Sequence, residues 1–149
     1  MNSKKQLFLF LFVALLTNAF GQKNKETEAI KRVLERESAT WRSGDIAGHA
    51  DCWFIQPYSK IIISTGDTVI DVPPLLMINP TASMVGQGGS SFNTNYKISI
   101  NGNHAWVSHN EESTAKDGKK TYSFEFRMLE KINRQWKIVA QSIHMNKQK

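Results

Sequence analysis

Glu37 is the first residue of the chain that asks for a chemical explanation. It falls seven residues after Ile30 and four before Trp41, on the apolar stripe of a segment with helical spacing. A carboxylate placed there is costly unless it is paired. Arg127, inside a strand-like segment near the other end of the chain, is its natural partner. Such a pair supports two readings. It is either a structural ion pair that fixes a helix on a sheet, or a carboxylate with a tuned pKa, working as general base or ligand anchor. In the second reading Glu37 is the base, Arg127 and Asn110 hold developing negative charge, and Tyr58 or His144 moves protons. That chemistry would be isomerisation, cyclisation or dehydration of a small organic substrate.

The remaining reactive residue types give less. Ser108 and His109 are neighbours in a strand-like run, so they point to opposite faces, which argues against a nucleophile and its base. His49 and Asp51 stand two apart on a short helical segment and diverge, a poor metal pair. Cys52, the single cysteine, lies beside Trp53 and Phe54 and is expected to be buried; it has no internal disulfide partner. No paired Cys/His spacing suggests zinc. The Gly-rich stretch Gln87 to Ser91 lacks the Lys-Ser/Thr and the following helix of a phosphate loop. No metal and no cofactor is therefore expected. Tyr58 is placed at a pocket mouth and His144 at its rim.

The elements that must position these residues follow from periodicity and punctuation. Glu26 to Ser43 reads as a helix, with Ile30, Val33, Leu34 and Trp41 on one face and Gly44 as its stop. Asp45 is set to cap a second short helix running through Trp53, and Pro57 ends it. The β-branched run within Ser59 to Thr65 predicts a buried strand, Gly66-Asp67 a turn, and Thr68 to Val72 a second strand. Pro73 to Met84 reads as a short helix and then a loop, because Pro80 would break a longer one. Asn93 to Ile100, His104 to Thr114, Lys120 to Ile132 and Gln135 to Met145 read as four strands, joined at Asn101-Gly102, Asp117-Gly118 and Asn133-Arg134.

If Asn133-Arg134 and Asp117-Gly118 are two-residue turns, the register follows. One sheet face then carries Trp106, Ser108, Asn110, Arg127, Leu129, Trp136 and Ile138. The other carries Val107, His109, Phe124, Phe126, Met128 and Val139, and a one-residue slip would exchange the sets. The first face, opposite the helix, is the pocket wall, with Trp41, Tyr58, Trp106, Ser108, Asn110 and His144 as ligand contacts. The second face is apolar and uncovered. It is expected to meet a second copy of the chain, making a homodimer through Val107, Phe124, Phe126 and Met128.

Composition bounds the class. Met1 to Lys5 is a short basic start, Leu7 to Leu16 an unbroken apolar run too short to span a bilayer, and Ala19 and Gly21 are small residues two apart. Residues 1–21 therefore read as a signal peptide, cleaved after Gly21, which implies a secreted or periplasmic protein with no stable membrane insertion afterwards. Residues 22–149 then form a single domain of ordinary size. The chain carries a formal charge of +6, about +4 without Lys4 and Lys5. The basic residues are spread out, which argues against nucleic acid.

Long helix first, then a run of strands, is an α+β layout: a curved, mostly antiparallel sheet wrapped around an N-terminal helix. The segments Glu28-Ala29-Ile30 to Trp41, Gly44-Asp45, Cys52-Trp53, Ala105-Trp106-Val107, Arg127 to Lys131 and Gln135 to Val139 together resemble the nuclear transport factor 2-like superfamily, in its SnoaL-like branch. The resemblance covers Glu26 to His144 and is nearest to secreted members. It implies the cone-shaped fold of that superfamily, with a pocket in the cone. The superfamily includes isomerase-like and cyclase-like enzymes, dehydratases, and non-catalytic binding or assembly modules. Its isomerase-type Asp and Tyr set is not matched here residue by residue, and Val72 to Phe92, rich in Pro and Gly, departs from relatives that continue a helix. Three expectations stand: an exported protein binding a small, largely apolar molecule, an acid–base enzyme without a cofactor, or a dimeric assembly module.

Overall fold

The computed structural model describes residues 24–146; the expected signal peptide and its cleavage site lie outside them. The structure is α+β, with a single six-stranded, curved, mostly antiparallel sheet. By packing, the chain divides inside its first helix, after Arg32. In the first unit, residues 24–32 are helical, with Glu28 and Lys31 ion-paired at 2.8 Å and Ile30 fully buried. The second unit begins at Val33 and holds the rest of that helix, α1 (residues 24–43), a short helix α2 (Ile46–Ala50) and all six strands.

The end of α1 shows why the chain turns where it does. Gly44 has φ +80°, the left-handed conformation that stops helices at little cost for glycine. The helix's last carbonyls are then taken up by a distant loop: Gly86 N–H donates to Trp41 O at 3.0 Å and Gly88 N–H to Arg42 O at 2.8 Å. Asp45 caps α2 as expected, its Oδ1 accepting from Gly48 N–H at 2.8 Å. The helix stops at Ala50 rather than Trp53, because Cys52 to Phe54 leave it to pair with the last strand. Ile138 N–H donates to Cys52 O at 2.8 Å and Phe54 N–H to Ile138 O at 2.9 Å.

The strands are β1 (Ile61–Thr65), β2 (Thr68–Val72), β3 (Ser90–Asn101), β4 (His104–Thr114), β5 (Lys120–Ile132) and β6 (Gln135–Met145), with a 3-10 turn at Pro74–Met77. Their order across the sheet is β2-β1-β6-β5-β4-β3, and only β1 and β6 pair parallel. The last three strands begin and end where turn chemistry and alternation predict. Strand β3 starts earlier, at Ser90, so part of the Gly-rich stretch is already sheet.

The turns correct the expected register. Asn133-Arg134 is a two-residue turn with both φ values positive, 49° and 67°, as a type I′ hairpin requires. The β3–β4 turn is Gly102-Asn103 rather than Asn101-Gly102, since Asn101 pairs with His104. The β4–β5 connection is not two residues. Thr114 pairs with Lys120, and Ala115 N–H donates to Lys119 O at 2.9 Å, which leaves the odd loop Lys116-Asp117-Gly118. An odd loop slides one strand by one position, and side chains of period two then change faces. Arg127 therefore stands opposite Val107, not beside Trp106, Ser108 and Asn110.

The face beneath α1 carries Val107, His109, Glu111, Glu125, Arg127 and Leu129, all buried. The outer face carries Trp106, Ser108, Asn110, Phe124, Phe126 and Met128, with Trp106 and Phe126 stacked at 5.8 Å. Val107 and His109, expected on the outer face, belong to the covered one. A further shift at Met128/Leu129 leaves Val139 as an extra residue, so Arg127 faces Gln141 instead of Ala140.

This register separates neighbours sharply: Leu129 is 1 % exposed and Met128 50 %. Leu129→Ala should cost about 2–5 kcal/mol in urea unfolding, and Met128→Ala less than half as much. Equal costs would contradict the assigned faces.

Candidate functional site

A cavity of about 280 Å³ lies in the second unit, between the C-terminal half of α1 and the covered face of the sheet. Its apolar wall comes from Trp41, Ile63, Val72, Met77, Met84 and Ile143. Its polar wall comes from Glu37, Ser38 and Arg42 on α1 and from Glu111, Glu125, Arg127 and Gln141 on three adjacent strands. Strand alternation brings the last four together, since β4, β5 and β6 each turn one polar side chain or more inward at this level.

Arg127 is the centre of the polar wall. Its Nη2 donates to Glu125 Oε2 at 2.6 Å and lies 3.7 Å from Glu37 Oε2, and its Nη1 donates to Gln141 Oε1. Burial opposes its charge, but Glu125, Glu37 and Glu111 outweigh that and hold its pKa above the ordinary guanidinium value. Its Nε is buried with no hydrogen-bond partner among the described residues. Glu37 and Arg127 are thus brought together as the sequence implies. The backbone carbonyl of Glu37 is 3.1 Å from His49 Nδ1, and its carboxyl is 3.7 Å from His49 Nε2.

Glu111 sits differently. Arg42 Nη2 donates to its Oε1 at 2.8 Å, and Ser38 Oγ lies 3.5 Å from its Oε2. Burial pushes its pKa up, Glu125 and Glu37 push further, Arg42 and Arg127 pull back, and the result is about 7. Behind the wall, His109 is 1 % exposed, tilted against Tyr96 and 3.7 Å from Glu125. Burial depresses its pKa to about 4, so its ring is neutral at pH 7. The thiol of Cys52 is buried, pushed up to about 11 by desolvation, and inert at neutral pH.

Of the residues singled out by sequence, Glu37, Arg127 and Trp41 line this cavity. Trp106 and Asn110 are exposed on the outer face, and Ser108 is buried there by its neighbours. Tyr58 is 59 % exposed and donates to Glu130 Oε1 at 2.6 Å. His144 faces outward beside Phe124 and bonds Ser142 at 2.9 Å. Glu111, Glu125 and Gln141 were missed. Glu125 shares the face of Arg127 by alternation alone, the odd-numbered loop brings Glu111 onto that face, and the shift at Met128/Leu129 brings Gln141 opposite Arg127.

No protein-family model matches the chain, and no curated protein matches its sequence. Solved structures do match in fold. A Novosphingobium aromaticivorans protein, provisionally named a scytalone dehydratase, is 16% identical with TM-score 0.70, over 85% of this chain and 88% of that one. A nuclear transport factor 2-like protein with a cystatin-like fold from the same organism is 12% identical with TM-score 0.66, over 89% and 90%. A nuclear transport factor 2-like protein of unknown function from Silicibacter pomeroyi is 13% identical with TM-score 0.65, over 83% and 98%. The chain therefore has the nuclear transport factor 2-like fold.

The neutral His109 has a pH consequence. Its folded pKa lies below the unfolded value of 6.5, so the unfolded chain takes up a proton first as pH falls. Its contribution to stability is lost between pH 6.5 and 4. The thermal midpoint of His109→Asn, relative to the unmodified protein, should improve as pH drops through that window. A constant difference would contradict a buried neutral ring.

Proposed function

We propose that the protein carries out acid–base chemistry on a small, largely apolar organic molecule held in this cavity, with Glu111 as the group that takes and returns the proton. The carrying observation is a buried carboxyl in a cavity wall, poised at about 7. At neutral pH both of its forms are populated, which is what a residue that is base in one half-reaction and acid in the next requires. Glu37, the base expected from sequence, lies 3.7 Å from both Arg127 Nη2 and His49 Nε2 on the same wall. Arg127, which lines the cavity, supplies a fixed positive charge for an oxygen that gains negative charge. Arg42 steadies the Glu111 carboxylate before it takes the proton and again after it has returned it.

The cavity falls just below the range of about 300–1,000 Å³ usual for ligand pockets, so the substrate is small. Isomerisation, cyclisation and dehydration all fit one proton carrier beside fixed positive charge. The name of the Novosphingobium neighbour supports dehydration among them. The ion-pair cluster also favours a functional reading on energetic grounds. Apolar replacements of such clusters are often neutral or stabilising by about 1–4 kcal/mol, so stability alone is a weak reason to keep one. The leader reading supports an exported protein.

Carbon-13 NMR of labelled glutamate should show one carboxyl titrating at about 7, absent in Glu111→Gln. That variant should keep its fold and lose turnover by about 100-fold or more against any substrate found. A Glu111 midpoint near 4.5 would overturn the reading. Unchanged turnover in Glu111→Gln would leave a protein that only binds.

We also infer that the outer sheet face pairs with a second copy. Its Trp106, Phe124 and Met128 are 42–50 % exposed, an unusual amount of large apolar surface for one face. Val107, buried beneath the sheet, takes no part. Phe126→Asp should convert the dimer to monomer in analytical ultracentrifugation; a monomer in the unmodified protein refutes the pairing.

A further inference from the structure

The cavity has a larger neighbour. A groove of about 650 Å³ lies beside it, bounded by Glu35, Ala39 and Arg42 on α1 and by the chain from Gly88 to Asn93. Arg42 lines both spaces. The contacts at this boundary are side-chain hydrogen bonds: Arg42 Nη2 to Glu111 Oε1 at 2.8 Å, Arg42 Nε to Ser38 Oγ at 3.3 Å, and Ser38 Oγ to Ser91 Oγ at 2.9 Å. Arg42 keeps a fifth of its side chain exposed. Arg42 and the Ser38–Ser91 pair are thus the side chains that stand between groove and cavity.

The groove has its own chemistry. Glu35 and Arg42 cancel in formal charge. Ser43, Ser90 and Asn93 offer hydroxyl and amide groups, and Phe92, 68 % exposed, presents a bare aromatic ring beside them. Glycine is required at Gly89, whose φ is +82° and on which a Cβ would stand 2.2 Å from the carbonyl oxygen of Thr114, so this edge of the groove can lie tightly against the end of β4. An aromatic ring among neutral hydrogen-bonding groups fits a ligand with hydroxyls on its edge and C–H groups on its face, such as a sugar ring.

We propose that groove and cavity are two compartments of one site for a two-part substrate. Its apolar, reacting part occupies the cavity and a neutral hydroxylated arm occupies the groove, with Arg42 as the movable partition between them. The role of the reacting part rests on the acid–base reading above; the compartments do not.

The test compares phenol with phenyl β-D-glucopyranoside by titration calorimetry. The glucoside should bind at least tenfold more tightly than phenol. Ala39→Trp, at an exposed helix position that faces the groove, should bring that ratio toward one. Phe92→Ala, also at the surface, should lower it severalfold and serves as the second variant if the tryptophan perturbs folding. A ratio near one in the unmodified protein, no glucoside binding, or a ratio that survives both substitutions overturns the proposal. That failure is separate from failure of the acid–base reading, which the Glu111 titration decides without any ligand.

Discussion

A guanidinium buried to 4 % exposure in the middle of a sheet is the constraint on which the rest of this structure depends. Arg127 has no access to water sufficient to solvate its charge, and an isolated ion in such a place would cost many kcal/mol. Every element around it is arranged to meet that need. Strand β5 supplies Glu125 from two residues away on the same face, β6 supplies Gln141 from directly opposite, and α1 brings Glu37 across the gap. The bulge at Val139 matters here: without the extra residue, β6 would present Ala140 at this position and the guanidinium would lose an acceptor.

Once Arg127 is satisfied, the placement of α1 over the sheet follows from Val33 onward. Glu37 must reach the guanidinium, which sets the rotation of the helix. That rotation turns Ser38 and Arg42, one and five residues on, toward Glu111 on β4. The cavity is the space these long polar side chains leave between them, closed on its other side by Ile63, Ile143 and two methionines. Fold and site are thus one arrangement. The same contacts that make burial of Arg127 tolerable create a carboxyl at Glu111 whose charge is not fully compensated.

Much of this was legible in the chain before any coordinates. Four of the six strands begin and end at the residues marked by turn chemistry, Gly44 stops α1, and Asp45 caps α2. Glu37 on an apolar stripe pointed correctly to Arg127. What was not legible turned on two backbone irregularities of one residue each. Asp117-Gly118 is a favoured two-residue turn on its own, but here Lys116 joins the loop and Gly118 takes φ +83°. Side-chain alternation then reversed β4, removing Trp106, Ser108 and Asn110 from the site and bringing in Glu111. The bulge on β6 has no local sequence mark, because Val139 is apolar and buried like its neighbours. Local propensity chooses strands well, but register is a tertiary property, decided by which pairing buries Val107 and Leu129 together.

The parallel pairing of β1 with β6 places the third element from the start of the sequence against the last strand, about eighty residues away along the chain. The hairpins β3–β4, β4–β5 and β5–β6 are local and can close early. The β1–β2 pair can also form on its own, but it docks only after β6 exists. Cys52 to Phe54 wait for the same strand. Such long-range closure slows folding relative to hairpin formation. It also means that the cavity walls come from segments far apart in the chain, with Ile63 on β1 set against Ile143 on β6. Glu37 and Arg127, about ninety residues apart in the chain, likewise pair only where the C-terminal half of α1 meets β5.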